Sequence, residues 1–575
     1  MGFKDKIRNI MDCRESSSIY DIYYNEGIDE NLVYFESRNG RDFAGNILRV
    51  IEELSTGRYG DFKIHVFANP KTKLKIEGLK KNYNLKIDRI VTTESEAART
   101  LERAKYIFTD SGIRYKYVKR DSQVFVNLWH GTPLKLMGRD YPLEIPAIAH
   151  IQQPLLSSDY LLYPNEYMMN IMLEAYQIEK IYPGEILLEG YPRNAVLFDE
   201  KRRLELKEKL GFEAKEVFIY MPTYRGQVQE IDDQRDFISE ILARIDERLT
   251  GNQVLISKLH PYDESSIDYS SFNHIIGFPK GYETYDVLNV CDALITDYSS
   301  VFFDYANTKG KIILFNYDER EYLSSRGVYI PLDDLPFPKV QDIDDLVLKL
   351  NSPKDYDDTE FLETFCSHDS IDATERLCRH MFKGENVCST ISVESERENI
   401  LIYPGEIDSD FTDFVSRISD DYNVFITYNP WERPSLDNLP ENVEILPFRF
   451  NLTPTFDEKR DYNRYFTSKD MECPKSLERL FKRSYDKQFS DVDFSLILDY
   501  AATNANITSI FANSAKNSAI WIREDTFDKA NPNVLADMLS RFTHIVADTP
   551  DLADRFDGII FASNVEMAEN IKKII

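Results

Sequence analysis

Cys291-Asp292-Ala293-Leu294-Ile295-Thr296-Asp297-Tyr298-Ser299-Ser300-Val301-Phe302-Phe303-Asp304 runs from an apolar strand, Ala293–Thr296, through a polar turn into a helix beginning near Ser299. Strand, turn and helix in that order make half of a βαβ unit, so a parallel sheet is expected around it. Ser299 and Ser300 fall at the helix N-terminus. Free backbone N–H groups, the helix dipole and two hydroxyls converge there, a combination suited to holding phosphate. Asp297 or Ser299 also serves as the N-cap of such a turn.

Reading outward, the same alternation recurs along the chain. Val217–Met221, Gln253–Lys258 and Ile312–Phe315 are further strand-like runs, with a helical stretch at Arg235–Leu249. Upstream, strand-like runs at 32–36, 63–67, 106–108, 124–128, 160–163 and 186–188 alternate with amphipathic stretches at 44–54, 94–103 and 166–176. Short apolar runs between helical periods predict an α/β chain with parallel sheets. Two Rossmann-like halves facing a cleft follow, residues 1–195 and 196–382. The polar, aperiodic stretch 383–398 reads as a linker. A third α/β pattern occupies 399–575, with strands expected near 424–427, 495–498, 518–521 and 544–547.

The chain has 575 residues and a formal net charge of −29. That balance argues against nucleic acid as a partner, since such binders gather a basic face. The six cysteines form no CxxC pair, which fits free thiols in a reducing compartment. Cys366, His368, Cys378 and His380 cluster in sequence, but their spacing matches no zinc pattern. No run of about 18 apolar residues exists to span a membrane. At the start, Phe3, Ile7, Ile10 and Met11 share a helical face flanked by Lys4, Lys6 and Arg8. Residues 1–12 therefore fit either a short helix on an anionic membrane surface or an ordinary packed N-terminal helix.

Four strand ends carry chemistry. Val126–Lys135 ends a buried strand in Trp129-His130-Gly131-Thr132-Pro133, with Lys135 two residues on. Gly131 and Pro133 break the strand and place His130 at the carboxyl edge of the sheet, where ligands bind in open α/β sheets. A histidine there can take a proton from a hydroxyl near neutral pH. Tyr220–Gly226 ends a second strand with Thr223 and Arg225, a hydroxyl and a planar cation suited to phosphate. Ile256–Pro261 ends a third at His260, so each half supplies one strand-end histidine. The fourth is the Asp297–Ser300 turn. Arg38 and Arg41 follow the first strand, Arg193 sits at the domain junction, and Arg326 follows the last strand of the second half.

Taken together, WHGTPLK (129–135), GYPRN (190–194), PTYRG (222–226), KLHP (258–261), LITDYSSVFFDYA (294–306) and RGVY (326–329) resemble the CDP-glycerol glycerophosphotransferase family. The resemblance runs in order from about residue 30 to 340. It implies the GT-B arrangement, with the donor in the second half. It also implies transfer of glycerol phosphate or a related alditol phosphate from a CDP-linked donor, with release of CMP. His130 corresponds to the proposed general base, and His260 to a group stabilising the pyrophosphate or leaving group. Thr223, Arg225, Asp297, Ser299, Ser300 and Arg326 fall on the donor side. Arg38, Arg41, Gly131, Thr132, Lys135 and Arg193 fall on the acceptor side or in the cleft.

CDP-glycerol or CDP-ribitol is the donor this implies, and a polyol-phosphate or lipid-linked saccharide the acceptor, at the cytoplasmic face of the cell membrane. No cofactor is implied, and Mg2+ is compatible with the pattern. The chain departs from the family at Ala195, where an Asp is usual, and at Lys309–Ile312, which lacks a common proline. Residues 399–575 look like half of a second GT-B unit, an acceptor-binding or assembly module. Its Asp408-Ser409-Asp410 and Asp491-Val492-Asp493 strings are of a kind that arises by chance in acidic chains. Two other readings stand beside the phosphotransferase: a glycosyltransferase using a nucleotide sugar, which favours a carboxylate pair in the second half, and a non-catalytic scaffold, which predicts lost histidines.

Overall fold

A computed structural model describes residues 23, 26–114, 117–141, 147–223, 231–259, 267–393, 395–432, 434–448, 452–467, 472–489, 491–524, 532–554, 560–561 and 564–575. The amphipathic segment expected at residues 1–12 lies outside them, as do Arg225 and His260.

The strands are β1 (Asp29–Glu36), β2 (Lys63–Phe67), β3 (Arg89–Val91), β4 (Ala104–Thr109), β5 (Val124–Asn127), β6 (Tyr160–Tyr163) and β7 (Glu185–Leu188) in the first half. The second half has β8 (Glu216–Met221), β9 (Gln253–Ser257), β10 (Ile275–Gly277), β11 (Ala293–Thr296), β12 (Lys311–Phe315) and β13 (Lys339–Val340). Then come β14 (Thr390–Ser392), β15 (Asn399–Tyr403), β16 (Asn423–Ile426), β17 (Glu444–Ile445), β18 (Leu496–Asp499), β19 (Ser518–Ile522), β20 (His544–Ala547) and β21 (Ile560–Phe561).

They form three sheets, ordered 14-7-6-5-4-1-2-3, 10-9-8-11-12-13 and 17-16-15-18-19-20-21. All pairings are parallel except β14 on β7. Central strands such as β9 and β11 are buried along their whole length, as sheets covered by helices on both faces require.

Each sheet reverses its winding once: between β1 and β4, between β8 and β11, and between β15 and β18. A crevice opens at the carboxyl ends of the strands at such a reversal. The chemistry-bearing turns of the first two halves sit at or beside these points.

The expected boundaries need two corrections. The helix Ala373–Lys383 does not stay with the second half. Its Leu377, Cys378 and Met381 join the core of the first half, and Phe382 packs against Phe62, Tyr106 and Phe108. The stretch 383–398 is also more than a linker, because β14 pairs with β7 and covers that edge of the first sheet. A three-residue edge strand is too short to show a period. For the same reason β3, β10, β13, β17 and β21 gave no sequence signal.

The halves are locked at the back of the cleft. Arg49 of the helix Gly45–Leu54 bonds Glu283 at 3.0 Å and Asp286 at 2.8 Å, and Arg202 reaches Asp286 at 2.5 Å. Tyr83 donates to Asp286 and accepts from the Glu283 N–H. Arg49, Glu283 and Asp286 are all buried. Such a pair is tolerated only because each charge is matched by partners from the other half. At the front, Leu136 N donates to Gly327 O and Tyr329 N to Leu134 O, so the WHGTPLK and RGVY segments pair directly. Gly327 is required there, since a Cβ would lie 2.5 Å from the Leu136 side chain.

The third sheet docks on the first half through its edge. Gln152 donates to Ile445 O at 2.9 Å and Gln177 accepts from Ile445 N at 2.9 Å, so two glutamines satisfy the exposed backbone of β17. Lys119 adds an ion pair to Asp491 at 3.1 Å. Leu401, Phe425 and Leu446 join the same hydrophobic core as Leu155 and Tyr176 of the first half.

Candidate active site

A cavity of about 280 Å³ lies between the halves. Ser37, Arg38, Asp110 and His130 line it from the first half, and Lys258, Glu283, Ser299 and Ser300 from the second.

His130 follows β5, which lies beside β4 and the reversal point. The turn that carries it is strained. Trp129 has φ +46°, a left-handed conformation rare for a bulky residue, and Gly131 has φ +152°. Three anchors hold it. Asn46 donates to the Leu128 and Trp129 carbonyls, both at 3.2 Å. Trp129 N donates to Asn127 Oδ1 at 3.0 Å. Arg193 Nη1 donates to the His130 carbonyl at 2.8 Å. Trp129 stacks on the imidazole, with centroids 4.7 Å apart.

His130 Nδ1 lies 2.7 Å from the Asp110 carbonyl oxygen. A carbonyl only accepts, so Nδ1 carries the proton and Nε2 keeps the lone pair of the neutral ring. Burial disfavours the imidazolium and pushes its pKa down to about 4. The nearby Arg38 and Arg193 charges add to the effect, against the pull of the Asp110 carbonyl. The ring is neutral at physiological pH and able to accept a proton.

The Asp110 side chain has a separate task. Its carboxylate accepts from Ser37 Oγ at 2.5 Å and Arg38 N at 2.9 Å, and burial raises its pKa. It thereby holds the turn 38–40, three successive left-handed residues, which presents Arg38 at the cavity.

Arg193 is buried and bonds Asp304 at 2.7 Å, sandwiched by the rings of Tyr191 and Tyr285 at 4.6 and 5.0 Å. Burial opposes its charge, but Asp304 beside it holds the guanidinium protonated. Tyr285 also donates to Asp304, at 2.9 Å. Arg193 therefore ties the His130 turn to the second half. The halves touch here: a Cβ at Gly131 would lie 3.1 Å from Ser300 Oγ.

On the second half, Ser300 is the N-cap residue of the helix Val301–Tyr305, one residue later than expected, and makes no side-chain cap bond. Asp297 is 1% exposed, and its carboxylate accepts from the backbone N–H groups of Thr223 and Tyr298. It staples the ends of β8 and β11 and sets Thr223 at the reversal point. Lys258, at the end of β9, approaches the Phe278 ring at 4.4 Å.

Of the residues expected at the cleft, the cavity gathers Arg38, His130, Arg193, Ser299 and Ser300. Thr132 is buried, with Asn165 donating to its hydroxyl. Lys135 lies in the bridge to Val328, its ammonium 5.3 Å from the Tyr322 ring centroid. Arg326 lies over the Tyr141 ring at 5.0 Å, and Arg41 is exposed; neither lines the cavity. Asn46, Asp110 and Asp304 were missed. Asn46 and Asp110 act across sequence distances no local pattern shows, whereas Asp304 stands inside the quoted helix start and could have been flagged as a buried charge.

The cavity carboxylates Asp42, Asp110, Glu283 and Asp304 already face donors. Among the described residues no three His, Cys, Asp or Glu side chains converge as metal ligands.

Residues 18–383 match the family CDP-Glycerol:Poly(glycerophosphate) glycerophosphotransferase. The teichoic acid poly(glycerol phosphate) polymerase of Bacillus spizizenii is 26% identical over 373 residues, 61% of this chain and 92% of that protein. The teichoic acid glycerol-phosphate transferase of Staphylococcus aureus is 26% identical over 383 residues, 62% of this chain and 94% of that protein. The solved wall teichoic acid polymerase TagF superposes with a TM-score of 0.53 at 22% identity, over 66% of this chain and 95% of that one, a likeness of fold. The family match ends where the helix Ala373–Lys383 ends and leaves the third sheet outside it. The chain belongs to the CDP-glycerol:poly(glycerophosphate) glycerophosphotransferase family.

Proposed function

We propose that His130 is the general base of the transfer and that the turns of the second half hold the donor. The chain is a transferase that moves glycerol phosphate, or a related alditol phosphate, from a CDP-linked donor to a polymer hydroxyl. In this reading the acceptor oxygen attacks the donor's β-phosphorus. The bond from that phosphorus to the bridging oxygen breaks, and CMP leaves with the electron pair. The hydroxyl proton passes to His130 Nε2. The neutral imidazole with its lone pair on Nε2 carries the assignment.

Phosphoryl transfer needs positioning and charge neutralisation more than covalent help from the protein. Ser299 and Ser300 offer hydroxyls to the phosphates, Lys258 and Arg38 offer charge, and Asp297 fixes the Thr223 end of the cradle. Arg225 and His260 belong to the same proposal from sequence alone. The nucleotide-sugar reading asked for a carboxylate pair gripping sugar hydroxyls. Glu283 and Asp304, the cavity carboxylates of the second half, are instead bonded to Arg49 and Arg193.

No helix among the described residues is long and apolar enough to cross a membrane. We place the enzyme at the cytoplasmic face of the membrane, where the acceptor is a polyol-phosphate chain. The test is CMP release from CDP-glycerol and CDP-ribitol with an oligomeric acceptor. Release with at least one donor, and a raised donor KM in Ser299→Ala/Ser300→Ala, are expected. Release unaffected by the double substitution would remove the two serines from the donor site.

A further inference from the structure

The helix Pro70–Asn82 carries Lys71, Lys73, Lys75, Lys80 and Lys81 against a single acidic residue, Glu77, in a chain of net charge −29. All five lysines are exposed. Lys75 pairs with Asp42 at 2.6 Å and Lys80 donates to the Ile87 carbonyl. Among the described residues, no carboxylate forms an ion pair with Lys71, Lys73 or Lys81.

The placement of this helix is as informative as its charge. Asn69, its N-cap, donates its N–H to Gly40 O, in the turn that presents Arg38. Asp42, the partner of Lys75, lines the cavity. At the other end Asn82 Nδ2 donates to Gly281 O of the second half at 2.7 Å, beside the exposed Lys280. The helix thus runs along one rim of the cleft and touches both halves. At helical spacing, Lys71, Lys75, Gly78 and Asn82 form one stripe, with Lys81 beside it. Nothing lies within 4 Å of a Cβ built at Gly78, so the middle of the stripe is open.

We propose that this rim helix is a track for the polyanionic acceptor, a chain bearing one phosphodiester per unit, as it enters and leaves the cleft. The proposal rests on the transferase reading above and adds to it a surface for the polymer distant from the reacting hydroxyl. A bilayer fits the helix less well. Interfacial helices bury an apolar face in lipid. Here Ile76 and Leu79 point into the core, and Leu74 is the one large apolar side chain of the helix left exposed.

The experiment uses the full chain carrying K71A/K81A, exposed positions at which alanine favours the helix. CMP release is measured with a single-unit acceptor and with one of about ten units, at low and high salt. The expected result is a roughly ten-fold higher KM for the long acceptor alone, fading at high salt as surface charge is screened. Equal change for both acceptors, or none, would overturn the track. Direct titration of the free polymer reads the track without turnover: weaker binding by the double variant supports it, and unchanged binding sinks it. Should the parent protein release no CMP with any alditol donor, the transferase reading fails while the titration still decides the surface. Sedimentation with phosphatidylglycerol vesicles is the third arm. Vesicle binding lost in the variant, with acceptor-length dependence intact, would reassign the lysines to a membrane.

Discussion

The first and third sheets have the same plan and different crevices. Both are parallel apart from the edge strand β14 of the first, both reverse once, and both bury the carboxyl ends of the strands at the reversal. At the β1/β4 reversal stand Arg38, Asp110 and, one strand over, His130, on turns strained into left-handed conformations. At the β15/β18 reversal stand Gly405, Ala501 and Ala502. A Cβ on Gly405 would lie 2.6 Å from the Ala501 side chain, so small residues close the gap. The buried acid there, Asp499, turns inward to Thr508 Oγ1 at 2.6 Å and Ala502 N at 2.9 Å. A reversal point supplies a location, and the side chains placed on it decide whether chemistry follows. The third sheet spends its distinctive polar contacts on docking, through the two glutamines that cap β17.

The largest expected effect is at His130. His130→Ala removes the proposed proton acceptor and should lower CMP release by roughly 10³-fold, the scale of general base catalysis. Donor binding, followed by calorimetry, should persist. Loss of donor binding instead would make His130 a donor ligand and leave the first crevice without its base.

Next comes the buried pair beneath it. Asp304→Ala strands Arg193 in the interior, and breaking such a pair from one side costs about 3–5 kcal/mol. Urea denaturation should show that loss. CMP release at a temperature where the variant stays folded should also fall, because Arg193 no longer fixes the His130 carbonyl. Normal turnover in the folded variant would show that the turn holds its shape without Arg193.

How much of this contrast could be read in advance depends on range. The strand–turn–helix pattern around Ala293–Val301 shows in a dozen residues, because a parallel strand buried on both faces is nearly continuous in apolar character. His130 and Ser300 were visible as strand-end residues, since chain breakers flank the first and a helix start marks the second. Asn46 was not. Its two bonds to the 128–129 carbonyls span more than 80 residues and leave no local trace. The return of the helix Ala373–Lys383 to the first half was equally hidden, because its apolar stripe announces burial and does not say against which sheet.

A third prediction sharpens the first crevice through pH. An ordinary histidine base would lose half its activity near pH 6.5 on the acid side. His130 stays neutral down to about pH 4, so kcat/KM should hold nearly level from neutrality to about pH 5. Arg38→Gln removes one of the charges that disfavours the imidazolium, so the acid limb should move upward. It should stop short of 6.5, because burial is the larger cause and remains. An acid limb already at 6.5 in the parent protein would mean that the ring is more hydrated in solution than its packing indicates.

The smallest effect is expected in the third crevice, and it separates stability from catalysis. Burial raises the Asp499 pKa to about 6, against the Thr508 and Ala502 donors that favour its charge. A carboxyl whose folded pKa lies above its unfolded value destabilises the fold when ionised. The penalty is absent below about pH 4, grows as pH rises through 6 and is complete above it, reaching about 3 kcal/mol for a shift of this size. Asp499→Asn keeps an acceptor for the Ala502 N–H and can donate to the Thr508 hydroxyl. The variant should therefore flatten the loss of stability between pH 4 and 7 in denaturation curves, while CMP release at pH 7.5 stays within about two-fold of the parent, the scatter expected for a distant site. A fall in CMP release of ten-fold or more with the fold intact would place the third crevice in the reaction, and the difference between the two sheets would then be one of task within a shared mechanism.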